Sequence, residues 1–148
     1  MLTQVTKHAP PSASSEAVRV RMSQQRVRDT GPEMALRREL HSRGLRFRVQ
    51  RRGVEGLRRT VDIVFDPSKA AVDVRGCFWH GCPDHAVPPK SNATWWLEKL
   101  AANRRRDEET EAVMVAAGWA YVVVWEHDDP SIAADRIEAL VRERRMKP

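Results

Sequence analysis

Apolar residues recur at helical spacing in some stretches of the chain and at strand spacing in others, and each change of period marks an element. Thr30-Gly31-Pro32-Glu33 opens a helix, with a Thr cap, a Pro in the first turn and a Glu placed to close a capping box. Leu36 and Leu40 give this helix an inward stripe, and Gly44 ends it. Leu45 to Val49 (LRFRV) alternates apolar residues with Arg, the pattern of a half-exposed strand. Thr60 to Phe65 (TVDIVF) and Ala70 to Val74 (AAVDV) read as a hairpin turning at Asp66-Pro67-Ser68. Gly76 to Pro89 is too dense in Gly, Pro, Cys and His for a regular element and reads as a functional loop. Ser91 or Asn92 caps a long helix that stops at Gly118, with Trp96, Leu97, Leu100, Val113 and Met114 offered for burial. Trp119 to Trp125 (WAYVVVW) has the apolar run of a central strand. Asp129-Pro130 then opens a last helix with Ile132, Ile137, Leu140 and Val141 facing inward. The class is α/β, a mixed sheet flanked by helices.

Composition narrows the function. The 148 residues suit one domain: a disordered tail over residues 1–16, then a domain over 17–148 whose first part, 17–29, is a basic arm carrying Arg19, Arg21, Arg26 and Arg28. Lys and Arg number 26 against 20 Asp and Glu, a net charge of +6 dominated by Arg, which makes nucleic acid the first partner to consider. A solvated basic surface is the plain alternative. The 41% hydrophobic content and five Trp argue against disorder, and the chain has no apolar run long enough for a membrane span. Without a secretory signal at its start, the expected compartment is the cytoplasm. A monomer is expected, because no dimer stripe stands out.

Candidate chemistry gathers in two places. Asp62 and Asp73 sit in β-branched runs, where a carboxylate is costly unless something compensates it. A divalent cation such as Mg²⁺ would compensate both, and Arg75, two residues beyond Asp73, projects from the same face. This spacing approximates the acidic, acidic, basic signature of metal-dependent nucleases of the restriction-endonuclease fold. A buried aspartate bonded to backbone or to Arg is the other reading. Cys77 to His85 packs two thiols and two imidazoles together, which favours zinc over a disulfide or an incidental loop. Cys77, Cys82 and His85 supply three ligands; His127 is preferred to His80 as the fourth, which leaves His80 free for chemistry. Phe78, Trp79, Trp95 and Trp96 lie in or beside loops as core plugs or as wedges for base stacks, and Lys90, Asn92, Lys99, Arg104 and Arg105 nearby favour wedges.

Gly76-Cys-Phe-Trp-His80-Gly-Cys82-Pro-Asp-His85, Pro89-Lys-Ser-Asn92, Trp96-Leu-Glu-Lys99, Asn103, Arg106-Asp107 and Gly118-Trp119 through Val124-Trp-Glu126 closely resemble the very-short-patch (Vsr) mismatch endonucleases. Arg28-Asp-Thr30-Gly-Pro-Glu33, Leu45-Arg-Phe-Arg48 and Asp62-Ile-Val match as well. The resemblance implies a bacterial, nucleoid-associated repair enzyme on double-stranded DNA that nicks one strand 5′ to the thymine of a T:G mismatch, the lesion left by deaminated 5-methylcytosine. Other repair proteins are among its implied partners. It implies Mg²⁺ held by Asp62 and the backbone carbonyl of Val74, His80 assisting attack by water, and Glu33 at the edge of the site. It implies a structural Zn²⁺ on Cys77, Cys82, His85 and His127. Phe78, Trp79 and Trp96 become an intercalating wedge, and Lys90, Asn92, Lys99, Asn103 and Arg104 complete the DNA-contacting set.

The chain departs from the family pattern at three positions. Val61 replaces the usual Pro before the first catalytic aspartate. Arg75 stands where well-known members carry a second catalytic His; it cannot serve as a base, but it can stabilise charge on phosphate. Asp73 replaces a frequent apolar residue and restores a second carboxylate, so the expected arrangement holds Mg²⁺ on Asp62 and Asp73 and leaves proton transfer to His80. Two competing readings are a zinc-stapled, non-catalytic DNA-binding protein and a nicking nuclease of restriction or phage defence without T:G specificity.

Overall fold

The computed structural model describes residues 30–54, 56–80, 82 and 91–146, with Phe78 and Trp79 described by their backbone alone. The expected tail, the basic arm, His85 and Lys90 lie outside the described residues.

Helix α1 (Gly31–Ser42) starts at Thr30, whose hydroxyl oxygen accepts the Glu33 N–H at 3.4 Å. The other half of the expected capping box is not made. The Glu33 carboxylate accepts from Arg37 and Gln50 instead, trading a backbone donor for a charge-assisted bond. Gly44 takes a φ of +75°, and the chain reverses so that the Leu45 N–H reaches the Leu40 carbonyl at 3.2 Å.

Strand β1 (Arg48–Arg51) begins later than the alternation predicts. Leu45 is buried and Phe47 stacks on His41 of α1, with ring centroids 4.4 Å apart, so the start of that run packs on the helix instead of pairing. β2 (Val61–Phe65) and β3 (Ala70–Arg75) form the expected hairpin, with Ile63 opposite Val72 and a 3₁₀ turn at Asp66–Ser68. β4 (Ala120–Trp125) runs parallel to β3, with Val74 opposite Val124 and Arg75 opposite Trp125.

The strand order is β1-β2-β3-β4, so β4 is an edge strand and not central as its composition predicts. Its apolar run reflects two covered faces, not two neighbours. Val122 and Val124 join a core with Leu36, Ile63 and Phe65, whereas Tyr121 and Trp119 pack with Val61, Val64 and Met114 on the other face. Helices therefore cover both sides of a mixed α/β sheet.

The crossover from β3 to β4 contains a one-turn helix, α2 (Cys77–His80), where an irregular loop was expected, and the long helix α3 (Ala93–Ala116). Only the C-terminal part of α3 enters the core, through Thr110 and Met114. Leu97 is 60% exposed and Val113 37%, against the burial expected of them. α4 (Pro130–Met146) buries Ala133, Ala134, Ile137 and Val141. Ile132 points outward instead, because the Asp129 carboxylate accepts the Ser131 and Ile132 N–H groups and sets the phase of the first turn. Among the described residues no helix is long and apolar enough to cross a membrane.

Candidate active site

The hairpin brings Asp62 and Asp73 to the same end of the sheet. Asp62 Oδ2 accepts the Val74 N–H at 2.7 Å, and Oδ1 accepts from Gln50 Nε2 at 3.2 Å. The same Gln50 amide donates to Glu33 Oε1 at 3.2 Å, so one side chain bridges two carboxylates. Gln50 adopts a φ of +52°, a conformation that costs a non-glycine residue about 1 kcal/mol or more and is held here at the centre of the acidic cluster. No cationic side chain among the described residues touches Asp62. Burial first, then the Asp73 carboxylate and a hydrogen bond with it, push the Asp62 carboxyl up to about 8. Glu33 adds to this and the Val74 N–H opposes it. Arg37 pairs with Glu33 and Arg75 with Asp73, which leaves Asp62 as the carboxyl without a cationic partner among the described residues; a hard divalent cation beside Asp62 and Asp73 would compensate it.

A second network starts at Asp73. Arg75 Nε lies 3.0 Å from Asp73 Oδ2, and the Tyr121 hydroxyl donates to the same oxygen at 3.1 Å. Burial, followed by the Asp73 charge, raises the Tyr121 phenol well above its ordinary range and keeps it a donor. Arg75 Nε is also 3.9 Å from Asp107 Oδ2, and that oxygen lies 2.6 Å from His80 Nδ1. Since a carboxylate accepts, Nδ1 carries a proton, and in the neutral ring Nε2 presents its lone pair. Arg75 is 9% exposed, and its buried Nη2 has no hydrogen-bond partner among the described residues.

Beyond α2 lies a soft-ligand cluster. Cys77 Sγ, Cys82 Sγ and a His127 ring nitrogen lie within 4.8 Å of one another, with His127 Nδ1 at 3.1 Å from Cys77 Sγ and 3.8 Å from Cys82 Sγ. His127 Nε2 faces Asp128 at 3.5 Å, the outer carboxylate that often orients a metal-bound imidazole. Glu126 accepts the Cys77 N–H at 3.1 Å and ties α2 to the end of β4. Burial, then the Cys82 hydrogen bond and Glu126, push the Cys77 thiol up to about 12. Two sulfurs and an imidazole fit a borderline-soft dication, which would favour the thiolates. His80 takes no part in this cluster, since Asp107 holds its ring.

A family model described as DNA mismatch endonuclease Vsr matches residues 14–85. The chain is 42% identical over 131 residues to the Type II nicking enzyme V.XorIIP of Xanthomonas oryzae, an alignment covering 87% of this chain and 92% of that protein. It is 41% identical over 111 residues to the Type II nicking enzyme V.NaeI of Lentzea aerocolonigenes, covering 73% and 66%. The DNA mismatch endonuclease Vsr of Escherichia coli is 36% identical over 102 residues, covering 68% and 63%. The chain belongs to the Vsr family.

As a Vsr-family protein it is a DNA strand-nicking endonuclease, a hydrolase. The fold assembles Glu33, Asp62, Asp73, Arg75 and His80 at one end of the sheet, and Cys77, Cys82 and His127 beside it. His85 and Lys90 are not described, nor are the side chains of Phe78 and Trp79. Asn92 adopts a φ of +55° ahead of α3 without a side-chain capping bond, and Trp96 packs edge-on against Trp95 at 4.8 Å. Lys99 and Arg104 are exposed on α3, and Asn103 is half-buried one turn before Asp107. Three residues of the candidate site were not singled out for chemistry from the sequence: Gln50, Asp107 and Tyr121. Asp107 had one usable signal, since Asn103, Asp107, Thr110 and Met114 share a helical face that runs from the candidate site into the core.

Proposed function

We propose that this Vsr-family nickase is a Mg²⁺-dependent enzyme of the restriction-endonuclease fold that cuts one strand of double-stranded DNA at T:G mismatches. The observation that carries the reading is the adjacency, through Arg75, of the Asp62–Asp73–Glu33 carboxylates and an imidazole already held by Asp107. Asp62 and Asp73, with the Val74 backbone carbonyl, hold the cation, and Glu33 borders it through Gln50. Bound there, Mg²⁺ supplies Lewis-acid neutralisation of the phosphate and a more acidic water. His80 Nε2 takes the proton of the attacking water as its oxygen bonds to phosphorus, and the phosphorus–oxygen bond to the neighbouring sugar breaks. The Arg75 guanidinium, whose buried Nη2 has no hydrogen-bond partner among the described residues, offsets the negative charge that develops on the phosphate. Phe78, Trp79 and Trp96 form the wedge, which costs least to insert at a mismatch.

The test uses purified protein, Mg²⁺ and end-labelled duplexes differing at a single T:G, T:A or C:G pair. Nicking confined to the T:G duplex is expected. Equal nicking of all three favours the second reading, a nicking nuclease of restriction or phage defence without T:G selectivity; the Xanthomonas and Lentzea relatives are named as Type II nicking enzymes.

Zn²⁺ is assigned a structural role on Cys77, Cys82, His127 and His85, with residues 17–148 as one domain. Chelation, or the Cys77→Ser variant, is expected to remove one zinc per chain by elemental analysis and to lower Tm by roughly 10 °C. A zinc-free preparation with unchanged Tm would refute this role.

A further inference from the structure

We propose that the groove between α1 and β1 is an anchoring surface for the phosphate backbone of DNA, outside the step that is cut. The proposal rests on the reading of the chain as a DNA nickase and adds a site to it. The groove has a volume of about 460 Å³, and its walls carry Arg37 and Arg38 from one face of α1 and Arg48 and Arg51 from β1. The stacked rings of His41 and Phe47, 15° from coplanar, also line it.

Charge in this groove is only partly balanced by the protein. Arg37 is committed to Glu33, and Arg48 lies 3.5 Å from Asp66 in an exposed pair, which contributes little. The side chains of Arg38 and Arg51 are exposed and make no hydrogen bond or ion pair with the described residues. Among the described residues β1 is the edge of the sheet, and no further strand covers it.

Arginines on an edge strand can serve merely to discourage pairing between sheets. That role needs charge along the strand alone, whereas here the adjacent helix face contributes two more guanidinium groups to the same concavity. The chain's own basic arm is a poor occupant, because Arg19, Arg21, Arg26 and Arg28 would meet like charge. A phosphodiester backbone is complementary: each guanidinium offers a planar fork of donors to phosphate oxygens. The groove also adjoins the candidate site, since its Arg37 holds the Glu33 carboxylate that Gln50 bridges to Asp62. A duplex cut at Asp62 can therefore extend along the groove.

The test measures binding of a fluorescein-labelled duplex to the protein as purified, without added Mg²⁺, by anisotropy from 50 to 300 mM salt. Arg38→Gln/Arg51→Gln is compared with Arg136→Gln/Arg145→Gln, an equal loss of charge from exposed positions on α4. Two lost phosphate contacts are expected to reduce the slope of log K against log salt by about 2 and to weaken binding roughly tenfold near physiological salt. The α4 pair should leave the slope near wild type, and Arg38→Lys/Arg51→Lys should retain it. An unchanged slope in the groove variant overturns the proposal, as does an equal fall in the α4 control. Since binding is read without added Mg²⁺, loss of T:G selectivity would sink the mismatch reading and leave the groove standing. Selective nicking with an unchanged slope would do the reverse.

Discussion

Asp62→Asn is expected to abolish nicking, by about three orders of magnitude or more, and at the same time to remove the alkaline weakness of the metal-free protein. Both effects come from one buried carboxyl whose direct partners among the described residues, besides Asp73, are the neutral Gln50 amide and the Val74 N–H. Its folded value is about 8 against an ordinary 3.8, so the native state binds a proton that the unfolded chain gives up. The contribution to stability is complete below about 3.8 and is lost as pH rises through about 8. Wild-type Tm without metal should therefore decline across that window by roughly 5–10 °C, and the variant should decline much less. Mg²⁺ should restore wild-type Tm at pH 8, because it compensates the ionised cluster, and should leave the variant unmoved. Three decades of rate correspond to about 4 kcal/mol of barrier, the scale of losing a Lewis acid from its site. Scanning calorimetry at pH 5 and pH 8, with and without Mg²⁺, checks the stability half independently of DNA. Equal Mg²⁺ stabilisation of wild type and variant would place the cation elsewhere.

The parts of this site that were legible in the sequence are those written in local pattern. Alternation in TVDIVF and AAVDV, with a Pro turn between them, puts Asp62 and Asp73 on neighbouring strands, and the density of Cys and His around α2 announces a Cys-Cys-His group that could hold a metal. What local pattern cannot carry is the position of one element over another. Asp107 lies in the polar run Asn103 to Asp107, which reads as a solvated helix face until α3 is laid against α2 and the end of β3. Gln50 depends on a positive φ that no residue type announces, and Tyr121 on the parallel register of β4 beside β3. The same blindness misplaces β4: two covered faces and two strand neighbours leave the same apolar signature. Arg75 shows the opposite case. As a residue type it is a departure that removes a base, but between Asp73 and Asp107 it becomes the joint between the carboxylate cluster and the imidazole.

That joint yields the second large expected effect. Asp107→Asn should lower nicking by roughly 10²- to 10⁴-fold while leaving duplex binding and Mg²⁺ stabilisation close to wild type. The carboxylate lies 2.6 Å from His80 Nδ1 and 3.9 Å from Arg75 Nε, so it orients the ring and offsets the positive charge that the ring acquires on taking a proton. An amide keeps the shape but not the charge, and it can turn its NH₂ toward Nδ1, which reverses the tautomer and removes the Nε2 lone pair from its working position. His80→Ala should cost about as much, because it deletes the group that Asp107 serves. Residues acting as one unit are not additive, so the double variant should be no slower than the worse single variant. Single-turnover rates of the two single variants and the double variant at saturating duplex decide the matter. If the double variant falls by the product of the two single losses, Asp107 acts apart from the imidazole, and its place in the site must come from Arg75 instead.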